Sequence, residues 1–451
     1  MSSRSGLVLI WHGPYDKNMR AAPPPGPTLP RSLQTVLWLA RPVAYPASVR
    51  HRYGTPFTLR LFESAGYAFV DAPEDVARVF ELPVEVATAA EENLVLAPLL
   101  GERSVLLVDG PEHLHLRRLL GHFLHGRAMR RHEPAIIDIV DREVASWPRG
   151  VPVRLLPRMR AITLQTILRI VFGVEPGPRG DRLREALEEF LAMGATWMVF
   201  EALRRDLGPW SPWGRFLGLR RQIDRLLEDE MARRRARLDE PGDGTVIGEL
   251  IREGSLPDPV IRDQLLTLLI AGLETTATEL SWAWCLLMRH PIARGLARED
   301  QEWRQAVIRE TLRVRPAFRL ASRRLHRTVK VGGRDVPAGW ILGALIPAAG
   351  MRPDRYPFPE SFDPARWLGV RPDPHSWIPF GGGLRHCLGA SLAQFEMDVV
   401  LREVLARVEL EPDRPAMESV HLHAVVMVPS RGATAVVKSR FHVKAAPCEG
   451  S

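Results

Sequence analysis

Cysteine is scarce in this chain: three in 451 residues, Cys285, Cys387 and Cys448, with no paired spacing and no Cys-x-x-Cys. That excludes a disulfide framework and a thiolate metal ribbon, and it fits a reducing cytoplasm. Long apolar runs are missing as well. Residues 6–11, Gly-Leu-Val-Leu-Ile-Trp, are too short for a span and lack the longer apolar core and cleavage site of a signal peptide. No later run reaches roughly 18 uninterrupted apolar residues, so no membrane span is expected. Lysine is rare, since nearly all of the 61 basic residues are arginine, and no basic-aromatic array accompanies them. With a net charge of +8 this describes a solvated arginine-rich surface and excludes a nucleic-acid reader, while an acidic protein partner stays open. No internal repeat is evident. What is present is a globular composition, 45% hydrophobic and 25% charged.

The densest signal is Phe380-Gly381-Gly382-Gly383-Leu384-Arg385-His386-Cys387-Leu388-Gly389. Glycines around one cysteine let the backbone pass close to a flat ligand, and an amide-rich turn entering a helix favours a thiolate. From Leu388 the pattern turns helical, with Leu392, Phe395, Val399 and Val400 on one face. Haem iron can be held by sulfur in this way. Cys285, within an apolar helical pattern, reads instead as a small buried hydrophobe.

The run resembles the haem-binding loop of the cytochrome P-450 family, Phe-x-x-Gly-x-Arg-x-Cys-x-Gly, at every fixed position. The resemblance covers about residues 23 to 440. It implies haem b (iron protoporphyrin IX) as cofactor, Cys387 as axial thiolate, Arg385 on a propionate and Phe380 beside the sulfur. Gly381, Gly383 and Gly389 would give the tight turn and the close approach to the porphyrin.

Asp258-Pro259 is a helix start and Arg289-His290-Pro291 a stop, which gives a helix of about 32 residues, roughly 48 Å. Its centre, Ala271-Gly272-Leu273-Glu274-Thr275-Thr276, interrupts an apolar run with a small pair, a carboxylate and two hydroxyls. The segment resembles the family's signature on the far side of the haem. In that resemblance Gly272, beside Ala271, opens a groove for dioxygen, Thr275 hydrogen-bonds the iron-bound oxygen species, and Glu274 feeds protons from solvent. Thr276 would bond back to a helical carbonyl.

Glu310 and Arg313, three apart on one helix face, resemble the family's Glu-x-x-Arg motif, completed by Arg366 into a buried structural network. His113 and Arg117, one helical turn apart, suit haem propionates. Arg323 stands in a register that supplies another propionate ligand in relatives, with Arg324 adjacent as the alternative.

Substrate liners expected by position are Leu96, Leu99, Leu100 and Val105; Thr267, Ile270 and Ala271; Phe318 and Leu320; and Val425 and Val426, with ordinary core packing as the alternative for each. The set is apolar and favours a hydrophobic small molecule such as a terpenoid, steroid or fatty acid. Arg319 departs from relatives, which carry an apolar residue or proline there. It either faces solvent or narrows the pocket to substrates with an anionic end.

The expected fold is mainly α, a large helical body with a smaller β-rich lobe contributed by both ends. Residues 1–30 read as a flexible proline-rich leader and 31–451 as a single domain, cytoplasmic and monomeric. No length is left for a fused flavin or iron–sulfur domain. Electrons are therefore expected from a ferredoxin or flavodoxin with its NAD(P)H-dependent reductase, docking on an arginine cluster of Arg117, Arg118, Arg127, Arg130 and Arg131. The leading function is an O2-dependent monooxygenase that hydroxylates or epoxidises its substrate. A peroxide-driven hydroxylase and a non-enzymatic haem carrier or sensor are the alternatives, and the intact Glu274-Thr275 pair disfavours both.

Overall fold

The structure, a computed structural model, describes residues 22–62, 64–124, 126–174, 177–193, 204–237 and 244–441. The first 21 residues of the expected leader, the 194–203 end of the helix expected near 183–204, and Cys448 lie outside them. The rest of the leader is held down: Thr58 donates from its backbone N–H to Pro25 O (2.8 Å) and from its hydroxyl to Pro24 O (3.1 Å), and the Gln34 amide donates to Leu29 O at 2.7 Å. The prolines of this strip have no N–H to donate, but its carbonyls accept, and Thr58 and Gln34 use them.

The helices that position the site are α1 (Arg31–Ala40), α2 (Pro73–Glu81), α3 (Gly110–Phe123), α4 (Leu155–Phe172), α5 (Pro212–Arg235), α6 (Asp258–Leu287), α7 (Gln301–Val314) and α8 (Ala390–Arg407). At 30 residues α6 spans about 45 Å. Its first half buries Leu265, Leu266, Leu269 and Leu273 in a cluster shared with α4 and α5, and its second half buries Leu280, Trp282 and Leu287 in another shared with α7 and α8. It is therefore the spine between two cores. Among the described residues no helix is long and apolar enough to cross a membrane.

The strands are β1 (Phe57–Leu59), β2 (Tyr67–Val70), β3 (Ala87–Thr88), β4 (Pro152–Arg154), β5 (Leu320–Leu325), β6 (Val329–Val331), β7 (Arg334–Val336), β8 (Ile341–Leu345), β9 (Val408–Pro412), β10 (Val420–His423), β11 (Val426–Pro429) and β12 (Thr434–Arg440). The main sheet runs β1-β2-β8-β5-β3. β2 pairs antiparallel with β1 across the turn expected at Gly66 and parallel with β8, Tyr67 opposite Ile341, which joins the two ends of the chain in one lobe. The expected architecture of helical body and smaller strand lobe is the one observed.

Candidate active site

Cys387 sits between a short 3-10 turn, Gly383–Arg385, and α8, which starts at Ala390, two residues later than its apolar pattern suggests. Its N–H donates to Phe380 O at 2.9 Å and closes the loop. Gly381 and Gly383 have φ of 65° and 62°, the left-handed region that glycine enters without strain. A Cβ on Gly382 or Gly383 would collide with Phe80 of α2, so the close approach at these two positions is to that helix. At Gly389, by contrast, a Cβ would meet nothing within 4 Å. Burial pushes the Cys387 thiol up, against a Gly389 N–H and the nearby Arg117 that pull it down, yet the side chain is accessible. A sulfur that is desolvated and accessible at once lines an interior chamber.

Around this chamber the structure gathers His113 and Arg117 of α3, Arg323 of β5 and Arg385 of the loop. Burial first, then Arg385, Arg117 and Arg323, push the His113 imidazole down to about 4, so it is neutral at pH 7. Burial lowers Arg117 as well and brings Arg323 to about 10. The one carboxylate acting on His113 is Asp109, which receives Arg385; Arg385 also donates to Val105 O at 3.0 Å. Three guanidinium charges against one carboxylate leave two positive charges in a desolvated place. Two propionates would balance them, and the neutral imidazole adds an N–H donor. Arg324 points elsewhere, to Glu92 at 2.6 Å. With an accessible thiol beside an open Gly389, the residues fit an iron porphyrin.

The middle of α6 carries an accessible stretch, where Ala271 is exposed and Ile270, Gly272, Glu274 and Thr275 are half-buried. Gly272 faces α4: a Cβ there would stand 2.7 Å from Ile167 Cδ1, the far end of a flexible side chain, so this glycine lies at the α6–α4 contact. The hydroxyl bonding back to a helical carbonyl belongs to Thr275, which donates to Ala271 O at 2.7 Å, and not to Thr276 as expected. Glu274 is gripped by a residue without a sequence signal, Arg160 of α4, which donates from Nε at 2.8 Å and from Nη2 to the second oxygen. The pair is a two-pronged fork.

Of the expected liners, Phe318 (37% exposed), Val425 (50%) and Ala271 are accessible, and Leu96, Leu99, Ile270 and Leu320 partly so. Leu100, Val105, Thr267 and Val426 are instead covered by protein on all sides. Thr267 donates its hydroxyl to Asp263 O (2.6 Å) and accepts from the Ser104 hydroxyl (2.7 Å), and Gln264 accepts from Val105 N at 2.8 Å, so these positions clamp the 98–105 segment onto α6. Leu94 and Val95, 50% and 36% exposed, were not singled out by position.

Glu310 accepts from Arg313 Nε (2.8 Å) and Nη2 (2.7 Å), Arg366 Nε (3.1 Å), Trp367 Nε1 (2.8 Å) and Asp363 N (2.9 Å). The sequence pattern lacked the last two. On the sulfur side a concavity of about 720 Å³ is lined by Leu114, Arg117, Arg118, Gly121, His122, Gly126, Leu384 and Leu388. Arg118, Arg130 and Arg131 are exposed around it or on the following segment. The Arg127 side chain lies outside the description.

Residues 23–436 match the family model for cytochrome P450. Two curated proteins of Mycobacterium tuberculosis are similar: cytochrome P450 135B1, 37% identical over 441 residues that cover 94% of this chain and 93% of the relative, and cytochrome P450 138, 37% identical over 400 residues covering 86% and 90%. Retinoic acid bound cyanobacterial CYP120A1 has a similar fold, with a TM-score of 0.79 at 24% identity, over 93% of this chain and all of that one.

Proposed function

This chain belongs to the cytochrome P450 family, and on that premise we propose that it oxidises a hydrophobic small molecule with electrons delivered by a separate carrier protein. As a family member it is a haem-thiolate monooxygenase, an oxidoreductase with protoporphyrin IX haem as its cofactor. When bound, haem supplies an iron at which dioxygen is activated and one oxygen atom passes to the substrate. The chain's own residues do the rest. Cys387 would hold the iron by sulfur, and His113, Arg117, Arg323 and Arg385 would receive the propionates. Thr275 presents a hydroxyl on the chamber side of α6, and Glu274 next to it passes protons inward from solvent, its carboxylate aimed by Arg160.

The observation that carries the substrate reading is a set of accessible apolar side chains, Ala271, Phe318 and Val425, which favours a terpenoid, steroid or fatty-acid-like body. The concavity lined by Arg117 and Arg118 together with Leu114, Leu384 and Leu388 favours a carrier with an acidic surface such as a ferredoxin or flavodoxin, reduced in turn by an NAD(P)H-dependent reductase. The test is a screen of hydrophobic compounds for a shift of the Soret band, followed by turnover with an added ferredoxin and reductase. Turnover should fall steeply with ionic strength. A salt-independent rate would remove the docking assignment, and a Cys387→Ser protein that kept the thiolate spectrum of its reduced carbonyl complex would remove the ligand assignment.

A further inference from the structure

Arg319 is a cation without an anion. Among the described residues it has no carboxylate partner. Its contacts are the Trp38 carbonyl, to which Nη1 donates at 2.8 Å, and the Trp38 ring, 4.2 Å from its Cζ. Burial brings it down to about 10, which still leaves it charged at neutral pH. A desolvated guanidinium normally recovers its lost hydration from a carboxylate, as Arg313 does from Glu310 in this chain. Arg319 has instead one donor satisfied out of five. Its other N–H groups are not sealed into the packing either, since none is a buried orphan. They reach accessible space.

The surroundings are those of a ligand's end and not of a surface charge. Trp38 and Phe69 are packed core rings beneath it, 5.3 Å apart, and Tyr67, 6.0 Å from Phe69 and partly accessible, feels the Arg319 charge. Arg319 directly follows Phe318, whose ring is accessible, and leads into β5, where the Ile346 N–H donates to the Arg319 carbonyl at 2.9 Å. Its backbone is therefore fixed by the sheet. A molecule lying along this segment meets an apolar ring and then an unpaired guanidinium. We propose that Arg319 is an anion-binding subsite at the sheet end of the chamber, and that the substrate is an amphiphile carrying a carboxylate at one end of an apolar body. This rests on the reading of the chamber as a hydrophobic-substrate site and narrows its substrate class.

The experiment compares dodecanoic acid with its methyl ester on the haem-loaded protein, by Soret titration and by calorimetry. The wild type should bind the acid more tightly than the ester. Arg319→Met, which keeps an apolar stem against Trp38, should lose affinity for the acid by about tenfold to about 150-fold, the range for a hydrogen bond to a charged group, with the ester unchanged. Arg319→Lys should restore part of the preference. Equal affinity for acid and ester in the wild type would overturn the proposal, and that measurement stands even if the Met variant fails to fold. Equal loss of both ligands in Arg319→Met would overturn it too and leave Arg319 as a prop under α1. If neither dodecyl probe binds but a neutral polycyclic compound shifts the Soret band, the anion subsite is wrong and the hydrophobic-substrate reading stands. If no hydrophobic compound of any class shifts it, that parent reading fails as well.

Discussion

Glu279 lies one turn beyond Thr275 on α6 and is 5% exposed. Its Oε1 accepts from Ala317 N at 2.5 Å and its Oε2 has no partner. The Ala317 carbonyl accepts from Met427 N at 2.8 Å, and the Met427 carbonyl accepts from Trp282 Nε1 at 2.8 Å, so a ring of hydrogen bonds leaves α6 and returns to it. This ring ties together the segment bearing Phe318 and the hairpin bearing Val425. Burial pushes the Glu279 carboxyl up to about 8, with the Ala317 N–H opposing and no charged side chain contributing. The folded protein therefore keeps this proton up to about pH 8, whereas the unfolded chain releases it near the ordinary value of about 4.3. Between those limits the native state binds more protons, so stability falls as pH rises and levels off above pH 8. Glu279→Gln is neutral throughout and lacks that slope. At about 1.36 kcal/mol per pH unit, the wild type should lose about 2.5 kcal/mol relative to the variant between pH 5.5 and pH 7.5. Any fixed cost of the amide's additional N–H cancels in this difference. The same holds for Glu396, also raised to about 8 by burial and present in both proteins. Urea unfolding followed by tryptophan fluorescence at the two pH values measures it. Parallel stability curves for the two proteins would refute the reasoning, because Glu279 would then not be titrating in this window.

Thr275→Ala removes the hydroxyl now resting on Ala271 O, so substrate binding should persist while product per NAD(P)H falls and peroxide rises. The loss should be about 2.7–4 kcal/mol of barrier, as for other preorganised donors, and an unchanged product yield would count against proton delivery. Glu310→Gln leaves the Arg313 and Arg366 charges without their anion, and should cost about 3–5 kcal/mol and lower haem content; an unaltered urea midpoint would show the network to be dispensable. Phe318→Ala should shift the distribution of regioisomeric products, read by chromatography, while costing less than the about 3–5 kcal/mol of a sealed core phenylalanine, because its ring is 37% exposed. An unaltered profile with a full core-sized stability loss would place Phe318 in the packing.

What the sequence revealed most clearly was local. The cysteine loop, the Glu310–Arg313 spacing and the polar centre of α6 are written in residues a few positions apart, where backbone geometry converts spacing directly into direction. The partners that act across the fold carry no such mark. Arg160 reaches Glu274 over 114 positions, and Glu279 meets Ala317 over 38. An arginine or a glutamate inside a helical pattern looks like a solvated face until the second helix is in place. Gly272 shows the same limit in reverse: a small residue at this point was legible, but the neighbour it faces, Ile167, was not. The chamber wall was legible as a set of segments and less so residue by residue, since Leu100 and Leu99 differ by one position and only Leu100 is sealed.

Arg323 and Arg324 show how a tertiary register separates two residues that adjacency leaves alike. Read as neighbours in a loop, either could reach a haem propionate. β5 instead pairs with β8 through both residues, Arg323 opposite Leu342 and Arg324 opposite Ile341, and successive side chains of a strand leave on opposite faces. Arg324 therefore emerges toward α-helical residues 90–93, where Glu92 takes its Nη2 and Glu91 stands 3.5 Å from its Nε. Arg323 emerges toward His113 and Arg385, is 7% exposed, and feels Arg385 as a like charge. Arg323 shares the one nearby carboxylate, Asp109, with Arg385, whereas Arg324 has two of its own. The alternation of one strand turns the first arginine toward His113 and Arg385 and the second toward Glu91 and Glu92.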